Sequence, residues 1–130
     1  MAQSNVPEGL LYSKEHEWVR VEGDVATVGI TDYAQASLGD IVYVELPRVG
    51  ATLSASSSIG VVESVKAVSD VYTPVGGEVV GINDGLEGDP AAVNRDPYGD
   101  GWFYRVRLAD VGQTNDLLTP QQYEQLIAEA

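Results

Sequence analysis

Two β-prone runs on either side of a short polar segment constrain this chain more than any other feature. Ile59-Gly60-Val61-Val62 leads into the polar stretch from Glu63 to Asp70. Val71-Tyr72-Thr73 leads out of it and is stopped by Pro74. Strand formers flanking a few polar residues fold back on each other as a hairpin. Lys66 then falls near the tip, and it is one of only two lysines, the other being Lys14. A nucleophilic or Schiff-base lysine needs a depressed pKa, from burial or neighbouring cations. Glu63 and Asp70 flank Lys66 instead, and anions favour the ammonium. Lys66 is therefore read as a substrate for another enzyme, exposed on a stiff turn. Acylation there would remove the charge and hang an arm from a fixed point. The plain alternative is a solvated turn lysine.

The rest of the chain reads as short strands with little helix. Leu10 to Val21 suggests a strand or two, and Gly23-Asp24 a turn into a strand over Val25–Ile30. Thr31 is the expected N-cap of a short helix, Asp32 to Leu38, stopped by Gly39. Asp40 to Leu46 alternates, with Val42, Val44 and Leu46 on the predicted core face. Ala51 to Ser58 is serine-rich and suits a turn plus a short strand. Pro74 to Gly77 predicts a turn, Glu78 to Ile82 a strand, and Asn83 to Asp89 a loop. A short helix over Pro90–Asn94 has Asp89 as its expected cap. Trp102 to Leu108 alternates as a strand. Thr119-Pro120 opens a last helix, Gln121 to Ala130, with Tyr123, Leu126 and Ile127 as its apolar stripe. Asp40-Ile41-Val42-Tyr43 is echoed by Ser69-Asp70-Val71-Tyr72, which suggests two similar β halves packed together. Residues 1–9 read as a loose leader to a single domain spanning 1–130.

Composition excludes several functions. There is no cysteine, so sulfur redox chemistry requires an attached cofactor. One histidine, His16, without cysteine argues against a conventional zinc site, and no metal is assigned. A net charge of -13 opposes nucleic-acid binding, which rests on Lys and Arg neutralising phosphates. It favours steering toward partners with basic patches. No run is long enough for a membrane span, and the N-terminus has neither a basic nor an apolar signal region. The expected compartment is the cytoplasm. No nucleophile–histidine pair, phosphate-binding glycine loop or metal cluster appears, so no catalytic residue is assigned.

Glu63-Ser64-Val65-Lys66-Ala67, followed by Ser69-Asp70, resembles the lipoylation site of glycine cleavage system H proteins. The resemblance continues along the chain. It takes in Tyr12 to Val19, Val28 to Gln35, Leu38 to Pro47, Asn94 to Gly99, and Gly101-Trp102. An ordered set of motifs over nearly the whole chain is far more specific than any one of them. The serine run at Ser56-Ser57-Ser58 departs from the charged, glycine-containing turn that the family carries.

The resemblance implies a mostly β fold with short helices, a barrel-sandwich hybrid of the lipoyl/biotinyl-carrier type with a C-terminal helix. It implies lipoate in amide linkage on Lys66. It also implies three enzyme partners. A pyridoxal-phosphate glycine decarboxylase, the P protein, loads an aminomethyl group. A tetrahydrofolate-dependent aminomethyltransferase, the T protein, removes it. Dihydrolipoamide dehydrogenase, the L protein, reoxidises the arm, and lipoyl-attachment enzymes install it. The chain would be a carrier and not an enzyme. Glu17 resembles the family's acidic contact to the loaded amine, with Asp70 and Glu15 as further candidates. Ser37 stands where some members have a histidine, so no histidine contact carries over. Trp18, Tyr33 and Trp102 read as core and not as cofactor contacts. Biotin carriers usually place Met on both sides of their lysine, whereas Val65 and Ala67 stand here. Lipoyl domains of 2-oxoacid dehydrogenases usually have Asp just before theirs. An unmodified binding module of the same fold and a lipoyl-relay role are compatible with the same residues.

Overall fold

A computed structural model describes residues 5–129. Among these residues, nine strands form two sheets. β1 (Leu11–Tyr12), β2 (Glu17–Glu22), β3 (Val25–Ile30), β5 (Thr52–Leu53), β8 (Gly77–Ile82) and β9 (Tyr104–Leu108) make the larger, in the order β1-β2-β3-β9-β8-β5. β4 (Ile41–Val44), β6 (Ser58–Ser64) and β7 (Val68–Tyr72) make the smaller, in the order β4-β6-β7. All pairs are antiparallel. The two sheets stay an open sandwich and do not close into a barrel. The larger sheet contributes Val19, Ala26, Val28, Val79 and Val106 to the buried core, and the smaller contributes Ile41, Val44, Val62 and Val71. A second cluster of Leu10, Tyr12, Trp18 and Tyr123, with Val6, Leu126 and Ile127 packed against it, joins the first described segment of the chain to the last.

α1 (Asp32–Leu38) forms as expected. Thr31 accepts the Ala34 N–H at 3.2 Å, and the Gly39 N–H closes the helix on the Gln35 carbonyl. α4 (Pro120–Ala128) carries a full capping box between Thr119 and Gln122. Its apolar stripe is the expected one, with Tyr123 buried and Leu126 and Ile127 packed beside it. Ala130, the expected last residue of this helix, lies outside the described residues. Residues 1–4 of the leader also lie outside them. The remainder of the leader makes hydrogen bonds to the body. The Asn5 N–H donates to Asp32, Tyr98 donates to the Asn5 carbonyl, and Tyr12 donates to the Pro7 carbonyl.

Four local expectations change. In β4, Ile41 and Val44 are buried while Val42 and Tyr43 are 53% and 47% exposed. Ile41 pairs with Ser64 and Tyr43 with Glu63, so two residues of β4 oppose one of β6. That bulge breaks the two-residue period and turns Val42 outward. The stretch expected as a loop holds a one-turn helix, α2 (Gly85–Gly88), which buries Leu86. α3 (Ala92–Arg95) starts later than predicted and has no side-chain cap; Asp89 pairs with Arg95 instead. The last strand begins at Tyr104, after Trp102 and Phe103. The two echoed segments do not head separate halves. They are β4 and β7, the strands on either side of β6 in one sheet, with Ile41 and Val71 both buried.

Candidate functional site

β6 alternates buried and half-buried residues up to Ser64, and β7 returns from Val68. Val65-Lys66-Ala67 forms the exposed tip between them. Ser64 organises this turn from within. Its Oγ accepts the N–H groups of Lys66 at 3.3 Å and Ala67 at 3.1 Å, and its N–H donates to the Ala67 carbonyl at 2.8 Å. A serine hydroxyl that binds backbone just ahead of it fixes a turn without bulk. The tip is also held from below, where the Val65 N–H donates to the Asp40 carbonyl at 3.0 Å.

Gly39, the stop of α1, has φ +83° and lies beneath the lysine stem; a Cβ built on it would sit 3.6 Å from Lys66 Cε. Glycine there adopts the left-handed backbone at no steric cost. Lys66 is thus exposed on a turn whose backbone is fixed on both sides. Acylation requires such reach, and among the described residues nothing covers Lys66.

The candidate carboxylates fall in different places. Asp70 is exposed on β7, opposite Val61 and on the face turned away from buried Val62 and Val71. Glu15 is exposed in the turn between β1 and β2. It lines a groove of about 260 Å³ with Ser13, Ser56, Pro74 and Gln113. Glu17 is 2% exposed, not the open strand carboxylate that β2 alone would suggest. Its Oε1 accepts from Ser13 Oγ at 2.6 Å, and its Oε2 from the Tyr72 N–H at 3.4 Å. Burial pushes its pKa up to about 8. The Ser13 and Tyr72 hydrogen bonds oppose the shift, and the charge of Glu15 adds to it. Glu17 therefore meets β7 at Tyr72, six residues from Lys66, or roughly 20 Å along an extended chain. Lys66 and Asp70 share one hairpin; Glu15 and Glu17 belong to the opposite end of β7.

Other residues near these groups carried no clear signal in the sequence. His16 has φ +71°, and its Nδ1 lies 2.8 Å from Tyr123 Oη, which lies 2.7 Å from Thr31 Oγ1. This chain ties α4 to the turn before β2 and to the cap of α1. Burial lowers the His16 pKa, with Glu15 opposing. Ser13 and Ser64 are short hydroxyls next to turns, which is the one local hint of their roles.

The sequence of the whole chain decides among families that share such a hairpin. A sequence model described as "Glycine cleavage H-protein" matches residues 10–130. The chain belongs to the glycine cleavage H-protein family. A glycine cleavage system H protein of Thermoanaerobacter pseudethanolicus is 59% identical over 124 residues, covering 95% of this chain and 98% of that one. One of Rubrobacter xylanophilus is 53% identical over 126 residues, covering 97% and 98%. The crystal structure of a glycine cleavage system H protein from Mycobacterium marinum superposes with a TM-score of 0.87 at 42% identity, covering 95% of this chain and 99% of that one.

Membership makes the chain a carrier component of the glycine cleavage system, its lipoyl carrier, and not a catalyst. The H-protein motifs acquire physical roles in this light. In Val28-Gly29-Ile30, Gly29 lies opposite Trp18, and a Cβ on it would collide with the indole. The indole Nε1 donates to the Pro97 carbonyl at 2.9 Å, joining that motif to Pro97-Tyr98.

Proposed function

We propose that Lys66 carries lipoate in amide linkage and presents it in turn to a glycine decarboxylase, an aminomethyltransferase and a dihydrolipoamide dehydrogenase, with the cytoplasm as the place of action. The observation that carries this reading is the tip itself. Lys66 is exposed, its N–H is held by Ser64 and that of its neighbour Val65 by Asp40, inside the octet that resembles the family's attachment site. Attached lipoate would supply the thiol–disulfide and one-carbon chemistry that a chain without cysteine lacks. The chain's own contribution is to fix the root of the arm. A short tether from a rigid root keeps the reactive end at high local concentration beside each partner.

Glu17 is the best placed of the three carboxylates to meet an amine at the end of a loaded arm. It is buried and keeps its proton near neutral pH; an arriving ammonium would draw that proton off to solvent, and the ion pair formed away from water is stronger than one made by Asp70 or Glu15 in solvent. Its Oε2 is bonded only at 3.4 Å, to the Tyr72 N–H, and has capacity left for an ammonium donor. Glu17→Ala then leaves lipoylation intact and shortens the lifetime of the loaded form, read as faster release of ammonia and formaldehyde. Equal release from both proteins rejects that role. For the attachment itself, the chain is coexpressed with a lipoyl-attachment enzyme and its intact mass measured. One lipoyl addition is expected, kept in Lys14→Arg and lost in Lys66→Arg. Its survival in Lys66→Arg overturns the assignment.

A further inference from the structure

We infer that Asn94 is a positioning residue for the lysine tip: its side-chain amide holds the Gly39–Ile41 segment on which the tip rests. The inference rests on Lys66 as the attachment site and adds the support that keeps it in place. Asn94 lies in α3, far from Lys66 in sequence and on no strand of the hairpin. Its Oδ1 accepts the Ile41 N–H at 2.9 Å. Its Nδ2 donates to the Gly39 carbonyl and to Gln35 Oε1, both at 2.9 Å. One donor and two acceptors fix the orientation of the amide, because the flipped form would set N–H against N–H.

The residue between Gly39 and Ile41 is Asp40, and its carbonyl holds Val65, the neighbour of Lys66. Gly39 itself lies under the lysine stem. Contacts therefore run from Asn94 to both sides of Asp40, from Asp40 to Val65, and from there to the amine. Few apolar contacts are available at this end, since Val42, Val65 and Val68 are 53%, 69% and 67% exposed. The segment runs from the helix stop at Gly39 to a strand that bulges after Ile41, so regular helix and regular ladder end on either side of Asp40. Aspartate at position 94 would keep the bond to Ile41. It would lose both donated bonds and set a carboxylate against the Gly39 carbonyl.

The test compares Asn94→Asp with Asn83→Asp by amide hydrogen exchange and by lipoylation kinetics. Asn83 makes two donated bonds of the same kind, to the Asp100 and Trp102 carbonyls, in a loop that does not touch the tip. In Asn94→Asp the Val65 amide is expected to exchange about tenfold faster, as the loss of two ordinary hydrogen bonds implies, while Val19, Val28 and Val106 stay unchanged. The KM of the attachment enzyme for the chain rises severalfold with kcat held, because the tip must be ordered on binding. Asn83→Asp leaves both readouts unaltered. Gln35→Ala, which removes one of the three bonds and spares the fold, shows the same pattern at smaller size. Unchanged exchange at Val65, acceleration spread evenly over both sheets, or an equal effect from Asn83→Asp overturns the inference. Failure of Lys66 to accept lipoate in every variant would instead overturn the attachment reading, and exchange at Val65 would still report on Asn94.

Discussion

The two ends of this sandwich are held together by different forces. At the end where the first and last described segments meet, Tyr12, Trp18 and Tyr123 are fully buried, and the Tyr12 and Tyr123 rings stack at 4.7 Å between centroids. At the lysine end the valines around the tip are mostly exposed, and order comes from backbone bonds to Ser64, Asp40 and Asn94. The contrast follows from what each end must do. Apolar cover stabilises in proportion to the area it hides, and it would hide Lys66 as well. A reachable lysine on a fixed backbone leaves directional hydrogen bonds as the main means of support. Each of these contributes little net stability but specifies geometry closely.

If that division is right, damage at the aromatic end should be global and damage at the tip local. Trp18→Ala is expected to cost about 3–5 kcal/mol in urea unfolding, the range for deleting a buried large aromatic. A loss under about 1 kcal/mol would mean the aromatic end is not the main brace.

Glu17 joins the two regions, since β2 holds it and β7 bonds to it. Its folded pKa of about 8 lies above the ordinary 4.5. The native state therefore keeps a proton that the unfolded chain releases. This group's contribution is fully present below the unfolded value and is lost as pH rises through the folded one. Glu17→Gln cannot titrate, so its stability relative to the parent should climb from about pH 5 to pH 8. The slope of that difference is at most about 1.4 kcal/mol per pH unit. A difference independent of pH would show that Glu17 is ionised when folded.

Ser64→Ala removes the acceptor of two tip N–H groups and is expected to cost about 1–2 kcal/mol. Faster exchange should be confined to Lys66 and Ala67, and global unfolding should move far less than in Trp18→Ala. A matching global loss would erase the contrast between the ends. Thr119→Ala, which breaks the capping box of α4, is the smallest change, about 1 kcal/mol. It sharpens the comparison if exchange quickens at Tyr123 and the tip is unaffected.

Elements whose cause is local were legible in the sequence. The Thr31 cap, the Gly39 stop, the Val25–Ile30 strand and the Thr119-Pro120 helix start all formed where their residue chemistry directs. The β4 bulge was not legible, because alternation in Asp40–Leu46 is blind to how many residues β6 sets opposite. α2 was hidden because its helical turn depends on burying Leu86 and not on propensity, with Gly at both ends. The site divided in the same way. The octet around Lys66 named the proposed attachment point. The burial of Glu17 and the reach of Asn94 to Gly39 depend on segments far apart in the chain.

The order of residues by itself determined the kind of chain this is: strands, turns, a tip lysine, and a ladder of H-protein motifs from one end to the other. Those are consequences of side-chain shape and short spacing, and they hold before any packing occurs. Only the tertiary structure decided which carboxylate leaves water, which face of β4 turns outward, and what stands beneath the lysine. Burial and long-range hydrogen bonds depend on which distant segments meet, and that is settled when the two sheets close on a shared core.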